Sequence, residues 1–255
     1  MPYCNKMFYR RYDGGTGASS HPTILLHGLG GSHLSWPPQM RRLPGQTVYA
    51  LDLPGHGQSA DETCADMKCF SAALDRLFHR MQFKQVNLVG HSMGAMIAYA
   101  YACDYPHQIN SLVLLSIGND YPFAQQLEQG FMREKTRDQA IGVLQQYGFD
   151  PSFPKSTRKQ LLDPLHQARL SLLHADAMVC LNFFPQALPD LSDFPVLMIA
   201  GKDDALVPLS GVRSLMHQIA NAQLETIDHC GHFVIYEKPE ITSFHIEKFL
   251  SRQEK

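Results

Sequence analysis

Gly90-His91-Ser92-Met93-Gly94, preceded by the apolar run Val86-Asn87-Leu88-Val89 and followed by the alanine-rich segment 95–103, decides how this chain folds. It reads as strand, tight turn, helix. A residue forced into a sharp strand-to-helix turn has its side chain pushed above the sheet edge. The flanking glycines remove the Cβ atoms that would collide as the chain doubles back. A plain Ser-Gly connection is the competing reading of so short a match, and the sequence on either side separates the two.

Upstream, Thr23-Ile24-Leu25-Leu26 and Val48-Tyr49-Ala50-Leu51 are short apolar runs, the pattern of strands buried on both faces of a parallel sheet. Residues 7–12 read as an N-terminal edge strand that breaks at Asp13-Gly14-Gly15. Met67, Phe70, Leu74, Leu77, Phe78 and Met81 recur at three-and-four spacing, which predicts an amphipathic helix over 66–81. Downstream, Ala95, Ala98, Ala100 and Ala102 suit a helix packed closely on a sheet, and Pro106 stops it. A fourth strand over 109–117 follows. Strands alternating with helices predict a mostly parallel sheet with helices on both faces.

The alternation then stops. Residues 119–193 are helical in period and broken by Pro151, Pro154, Pro164, Pro185 and Pro189, which predicts an inserted helical cap over the strand ends. Strand character resumes at 195–200 and 224–227, and an amphipathic helix over 239–251 closes the chain. The predicted organisation is a core of 1–118 and 194–255 with a cap of 119–193.

Composition narrows the function. The chain has 255 residues, 44% of them hydrophobic and 18% charged, enough for one large α/β domain with an insertion. A formal net charge of -2 supplies no general attraction to nucleic acid or an anionic membrane. Cys4, Cys64, Cys69, Cys103, Cys180 and Cys230 form no metal-like cluster, and reduced thiols are expected. The first residues lack a signal-peptide core, and no run reaches the ~18 apolar residues of a membrane span. A cytoplasmic protein without metal or cofactor is the expectation.

Beyond the turn at Ser92, three further strand ends carry the chemistry. After the first buried strand comes His27-Gly28-Leu29-Gly30-Gly31-Ser32, which matches neither G-x-G-x-x-G nor a P-loop. Its side-chain-free backbone can instead aim an N–H at a developing oxyanion. Asp203 and Asp204 follow a late strand, and His229 and His232 the last one. A serine hydroxyl needs a base, and an imidazole base needs a carboxylate to orient it, so serine, aspartate and histidine at strand ends point to acyl transfer.

With Asp52-Leu53-Pro54-Gly55-His56-Gly57-Gln58-Ser59, Gly201-Lys202-Asp203-Asp204 before Val207-Pro208, and Gly231-His232-Phe233, these motifs resemble the α/β-hydrolase superfamily, capped esterase-like branch, over nearly the whole chain. The chain is similar to pimeloyl-carrier methyl esterases and meta-cleavage-product hydrolases. The resemblance implies Ser92 as nucleophile, Asp204 rather than Asp203 as the acid, and His232 rather than His229 as the base. It implies the backbone N–H groups of Leu29 and Met93 as oxyanion donors. The implied activity is hydrolysis of a small or medium acyl ester. Carbon-carbon bond hydrolysis of vinylogous diketones and a hydrolase-like ligand receptor with little turnover are the alternatives. In the cap, Met178, Leu181, Phe183 and Phe184 are candidates to line an acyl pocket, and Lys155, Arg158, Lys159 and Arg169 to dock an acyl carrier protein.

Overall fold

The computed structural model describes residues 3–4, 6–15, 17–60, 64–183 and 193–253. Eight strands make one sheet: β1 (Tyr3–Cys4), β2 (Met7–Tyr12), β3 (Thr23–Leu26), β4 (Val48–Leu51), β5 (Val86–His91), β6 (Ile109–Leu115), β7 (Val196–Gly201) and β8 (Ala222–Ile227). Their order is β1-β2-β4-β3-β5-β6-β7-β8. From β4 to β8 every pairing is parallel, while β2 runs antiparallel to both β1 and β4. The expected parallel sheet is present, with an antiparallel margin at its N-terminal edge.

Helices α1 (Pro38–Arg41), α2 (Met67–Met81) and α3 (Met93–Asp104) connect the first strands. The insertion between β6 and β7 carries α4 (Ala124–Phe131), α5 (Arg137–Tyr147), α6 (Lys155–Leu162), α7 (Pro164–Gln167) and α8 (Leu170–Leu181). Helix α9 (Leu209–Met216) joins β7 to β8, and α10 (Val234–Glu237) and α11 (Pro239–Leu250) finish the chain. None of the helices among the described residues is long and apolar enough to cross a membrane.

The continuous apolar runs arise because the sheet is covered on both faces. Ile24, Leu26, Leu88, Leu112 and Leu114 pack with α2 and α3 on one side. Leu25, Val89, Val113 and Leu115 alternate onto the other, against α1, α10 and α11. The insertion has its own apolar cluster around Phe131, Ile141, Leu165 and Leu173, reaching the core at Leu206.

Strand order also fixes where a site can form. From β3 the chain steps outward to β4 and then crosses back to β5 on the other side of β3, so the loops leaving β3 and β5 diverge. Open α/β sheets bind ligands in the crevice at such a reversal. The register sets Leu26 beside Gly90, which brings the glycine loop after β3 next to Ser92.

One expectation is corrected. Cys64 and Cys69 form a disulfide, whereas Cys4, Cys103, Cys180 and Cys230 are free thiols. Asp66, whose carboxylate caps α2 through the Cys69 N–H, turns the chain between the two sulfurs and brings their Cα atoms to 5.4 Å. The helix α9 had no clear sequence signal, because Pro208 and Ser210 make its start read as loop.

Candidate active site

Ser92 sits at φ 54°, ψ −121°, a region that a β-substituted residue occupies only under constraint. The constraint comes from both sides. A Cβ on Gly90 would fall on the Gly94 carbonyl, and one on Gly94 on the Leu26 carbonyl, so β5, α3 and β3 close at these two points only through glycine. The Ser92 N–H is held by the Leu115 carbonyl at 2.9 Å.

The loops after β7 and β8 bring two further side chains to this serine. His232 Nε2 lies 2.8 Å from Ser92 Oγ, and its Nδ1 lies 2.9 Å from Asp204 Oδ2. A carboxylate can only accept, so Nδ1 carries the proton and the Nε2 lone pair faces the serine hydroxyl. The other Asp204 oxygen accepts the N–H groups of Leu206 and Val207, each at 2.9 Å. Asp203 and His229 are exposed and stand outside this line.

His232 is held by its backbone as well. Its N–H donates to the Gly148 carbonyl at 2.8 Å, and its own carbonyl accepts Ser116 Oγ at 2.7 Å and His91 Nε2 at 3.0 Å. Burial, and then the neighbouring His232, push the His91 pKa down to about 3, so this ring is neutral and donates through Nε2. Glu237 reaches back from α10 to the N–H groups of Gly231, 3.0 Å, and Asp150, 2.8 Å. Its carboxyl pKa is raised by burial, with those two bonds opposing the shift. Sequence reasoning missed Ser116 and Glu237. Ser116 carries a local signal only in its backbone, at φ 55°, which no pattern announces.

The glycine loop after β3 is tied down residue by residue. His27 Nδ1 donates to the Gly28 carbonyl at 2.8 Å while its Nε2 accepts the Leu53 N–H at 3.1 Å. The Gly31 N–H returns to the Gly28 carbonyl, and the Gly30 N–H goes to the Asp176 carboxylate. Leu29 lies between these anchors. Across the cleft, Met93 is the first residue of α3, and a first-turn N–H has no intrahelical acceptor.

Two cavities meet at Ser92. The larger, about 370 Å³, is lined by Ser32, Ser35, Gln160, Leu161, Leu165 and Tyr236. The smaller, about 60 Å³, is lined by Met96, Tyr121, Phe123, Leu127, Ala177 and Val207. Leu29, Leu144 and His232 border both. Among the described residues no lysine or arginine lines either cavity.

The pocket residues proposed from sequence need correction. Helix α8 presents Ala177 and Cys180 to the smaller cavity, and Met178 and Leu181, a third of a turn further round, do not reach it. Phe183 is buried beneath the site, edge-on to Tyr99 and Tyr121, and supports Tyr121 rather than lining the cavity. Phe184 lies outside the described residues.

The basic segment is also not a row of free cations. Arg158 is 7% exposed and its guanidinium donates to the carbonyls of Gln145, Asp150, Pro151 and Phe153. Arg169 donates to the Gly55 carbonyl at 3.0 Å. Lys155 and Lys159 are exposed.

A helix-flanked, mostly parallel sheet with a hydrogen-bonded serine, histidine and aspartate on its carboxyl edge defines an α/β hydrolase. A family model described as alpha/beta hydrolase fold matches residues 22–239, and the chain belongs to that family. It is 29% identical over 252 residues to the 2-hydroxy-6-oxononadienedioate/2-hydroxy-6-oxononatrienedioate hydrolase of Paraburkholderia phymatum, across 88% of this chain and 85% of that protein. It is 26% identical over 264 residues to the monoacylglycerol lipase ABHD6 of Mus musculus, across 90% of this chain and 76% of that one. Its fold matches that of the enol-lactonase from Burkholderia xenovorans with a TM-score of 0.83 at 18% identity, covering 96% of each chain. A thermophilic esterase from Thermogutta terrifontis matches with a TM-score of 0.76 at 22% identity, covering 98% of this chain and 94% of that one.

Proposed function

We propose that this hydrolase is a serine carboxylic ester hydrolase acting on small or medium acyl esters, with the α4–α8 insertion as a cap over the site. The observation that carries the reading is His232 set between Ser92 Oγ and Asp204 at 2.8 and 2.9 Å, at the junction of two cavities. Ser92 Oγ attacks the ester carbonyl carbon while His232 Nε2 takes the hydroxyl proton, and Asp204 stabilises the imidazolium that results. The oxyanion is met by the N–H groups of Leu29 and Met93. Collapse expels the alcohol, which takes the proton from His232, and leaves an acyl-Ser92. Water, deprotonated by His232, then releases the acid and restores the serine.

A second reading is hydrolysis of a carbon-carbon bond in a vinylogous diketone, favoured by the relatives named as nonadienedioate hydrolases. A dienedioate carries two carboxylates, and burying a carboxylate without a cationic partner is costly. The absence of lysine and arginine among the described lining residues therefore favours a neutral ester.

The test is a panel of p-nitrophenyl esters and a dienedioate diketone, run with wild type and Ser92→Ala. Wild type is expected to turn over the esters faster than the diketone, and Ser92→Ala to lose the ester activity. Retained esterase activity in Ser92→Ala would refute the nucleophile. Rapid fluorophosphonate labelling of wild type without steady-state turnover would instead mark a ligand receptor.

A further inference from the structure

Where the helical insertion meets the core, a second histidine and aspartate are buried together. His56, in the loop after β4, and Asp176, on α8, are each 1% exposed. Asp176 Oδ2 lies 2.8 Å from His56 Nε2 and also accepts the Gly30 N–H at 2.8 Å. His56 Nδ1 faces the Pro54 carbonyl at 3.0 Å. Both ring nitrogens therefore face acceptors, and a ring that donates from both carries both protons. The pair is an imidazolium against a carboxylate.

The surrounding groups support that state. Asp52 adds a second negative charge from the same loop. The His27 ring, 4.7 Å away centre to centre, is uncharged, because burial and then the charge of His56 hold its pKa well below the usual range. Arg169, which precedes α8, spends a donor on the neighbouring Gly55 carbonyl. Burial alone would lower the His56 pKa, but the charge and hydrogen bond of Asp176, with the Pro54 carbonyl, outweigh it and leave the pKa raised.

The consequence falls on the loop that holds Leu29. His27 fixes the Gly28 carbonyl from the core, and Asp176 fixes the Gly30 N–H from the insertion, so the peptide carrying the Leu29 N–H is clamped on both sides. Gly30 sits at φ +63°, and a Cβ there would strike Leu165 and Leu173 of the insertion at 2.5 and 2.6 Å. The insertion thus lies directly on the loop at the point where its carboxylate grips it.

We propose that Asp176 and His56 are positioning residues for the oxyanion loop: the carboxylate carried by α8 aims the Leu29 N–H through Gly30, and holds it while the insertion is seated and the His56 ring is doubly protonated. This rests on the reading of Leu29 as an oxyanion donor. Because the folded-state pKa of His56 is raised, its contribution is fully present below the ordinary imidazole range and is lost as pH rises through the folded value. The effect is an alkaline fall in kcat.

Three variants test this: Asp176→Asn, His56→Gln and the pair together. Asp176→Asn is expected to lower kcat at least about tenfold, part of the hundred- to thousandfold range for losing an oxyanion donor. KM should stay within about twofold, because the loop acts on the transition state. Amide exchange at Leu29 and Gly30 should speed up. In the double variant, the new glutamine amide can donate to the new asparagine oxygen, which still accepts the Gly30 N–H, so kcat should recover to within about threefold of wild type. It should also lose the wild-type alkaline limb. A merely structural pair would lower the melting temperature and leave both kcat per folded molecule and the limb unchanged. An Asp176→Asn protein with wild-type kcat and exchange, or a double variant that keeps the alkaline limb, overturns the proposal. If Asp176→Asn does not fold, the double variant and His56→Gln carry the measurement. Exchange at Gly30 in a Ser92→Ala background reads the anchor without turnover, so failure of the nucleophile and failure of the anchor give different results.

Discussion

At the scale of single residues, the sequence offers two aspartates and two histidines, and burial separates them. Asp204 is 4% exposed and divides its carboxylate between His232 and two backbone N–H groups, whereas Asp203 faces solvent. A carboxylate fixed on both oxygens cannot rotate, so it dictates which imidazole nitrogen holds the proton. Asp204→Asn leaves the shape and offers a donor to the wrong side. A fall in kcat of about 10⁴-fold is expected by analogy with the same change in a serine protease triad. Asp203→Asn should stay within about twofold of wild type, as surface changes usually do. Both are read from initial rates on one p-nitrophenyl ester. Equal losses in the two variants would remove Asp204 from its assigned role.

At the scale of elements, the tight turn at Ser92 is held by packing that leaves no room for a methyl group on Gly90 or Gly94. Gly94→Ala places a Cβ on the Leu26 carbonyl, and backbone cannot give way as a flexible side chain can. A loss of about 3 kcal/mol in urea unfolding is expected from such overpacking. Gly142 lies inside α5 with no atom within 4 Å of its added Cβ. There Ala should stabilise by about 0.5–1 kcal/mol, from helix propensity and a less flexible unfolded chain. The same substitution thus has opposite signs in two helices. Reversal of either sign would contradict the packing described.

This contrast also shows what the sequence could reveal. The strands were legible because a sheet covered on both faces demands unbroken apolar runs, and the serine, aspartate and histidine stand out because chemistry fixes their types at strand ends. Helix α8, Leu-Ser-Leu-Leu-His-Ala-Asp-Ala-Met-Val-Cys-Leu, is apolar on most sides, so its period does not say which face meets the cavity. Met178 and Leu181 are as apolar as Ala177 and Cys180, and tertiary placement alone chooses between them. Asp176 was hidden for a related reason. Its partners stand 120 and 146 residues away, and a lone acid in an apolar helix carries no local pattern.

At the scale of the whole molecule, the insertion and the sheet divide the space around Ser92 into unequal parts, and the division predicts selectivity. The smaller cavity is walled by Met96, Phe123, Leu127 and Val207 and suits an acyl chain. The larger, with Ser32, Ser35, Gln160 and Tyr236 on its walls, suits a more polar alcohol. Each methylene buried in the apolar part contributes about 0.8 kcal/mol, roughly fourfold in kcat/KM, until the chamber is full. Beyond that length the chain must displace packed side chains, and kcat/KM should fall. Leu127, on α4, closes one wall of the chamber, so Leu127→Ala deepens it without touching Ser92, His232 or Asp204. Across p-nitrophenyl esters graded from acetate to octanoate, the variant's optimum is expected to move to a longer acyl chain, with the rate on acetate little changed. A uniform loss across the series would mean that Leu127 only supports the fold. An unmoved optimum with full activity would place the acyl chain in the larger cavity instead.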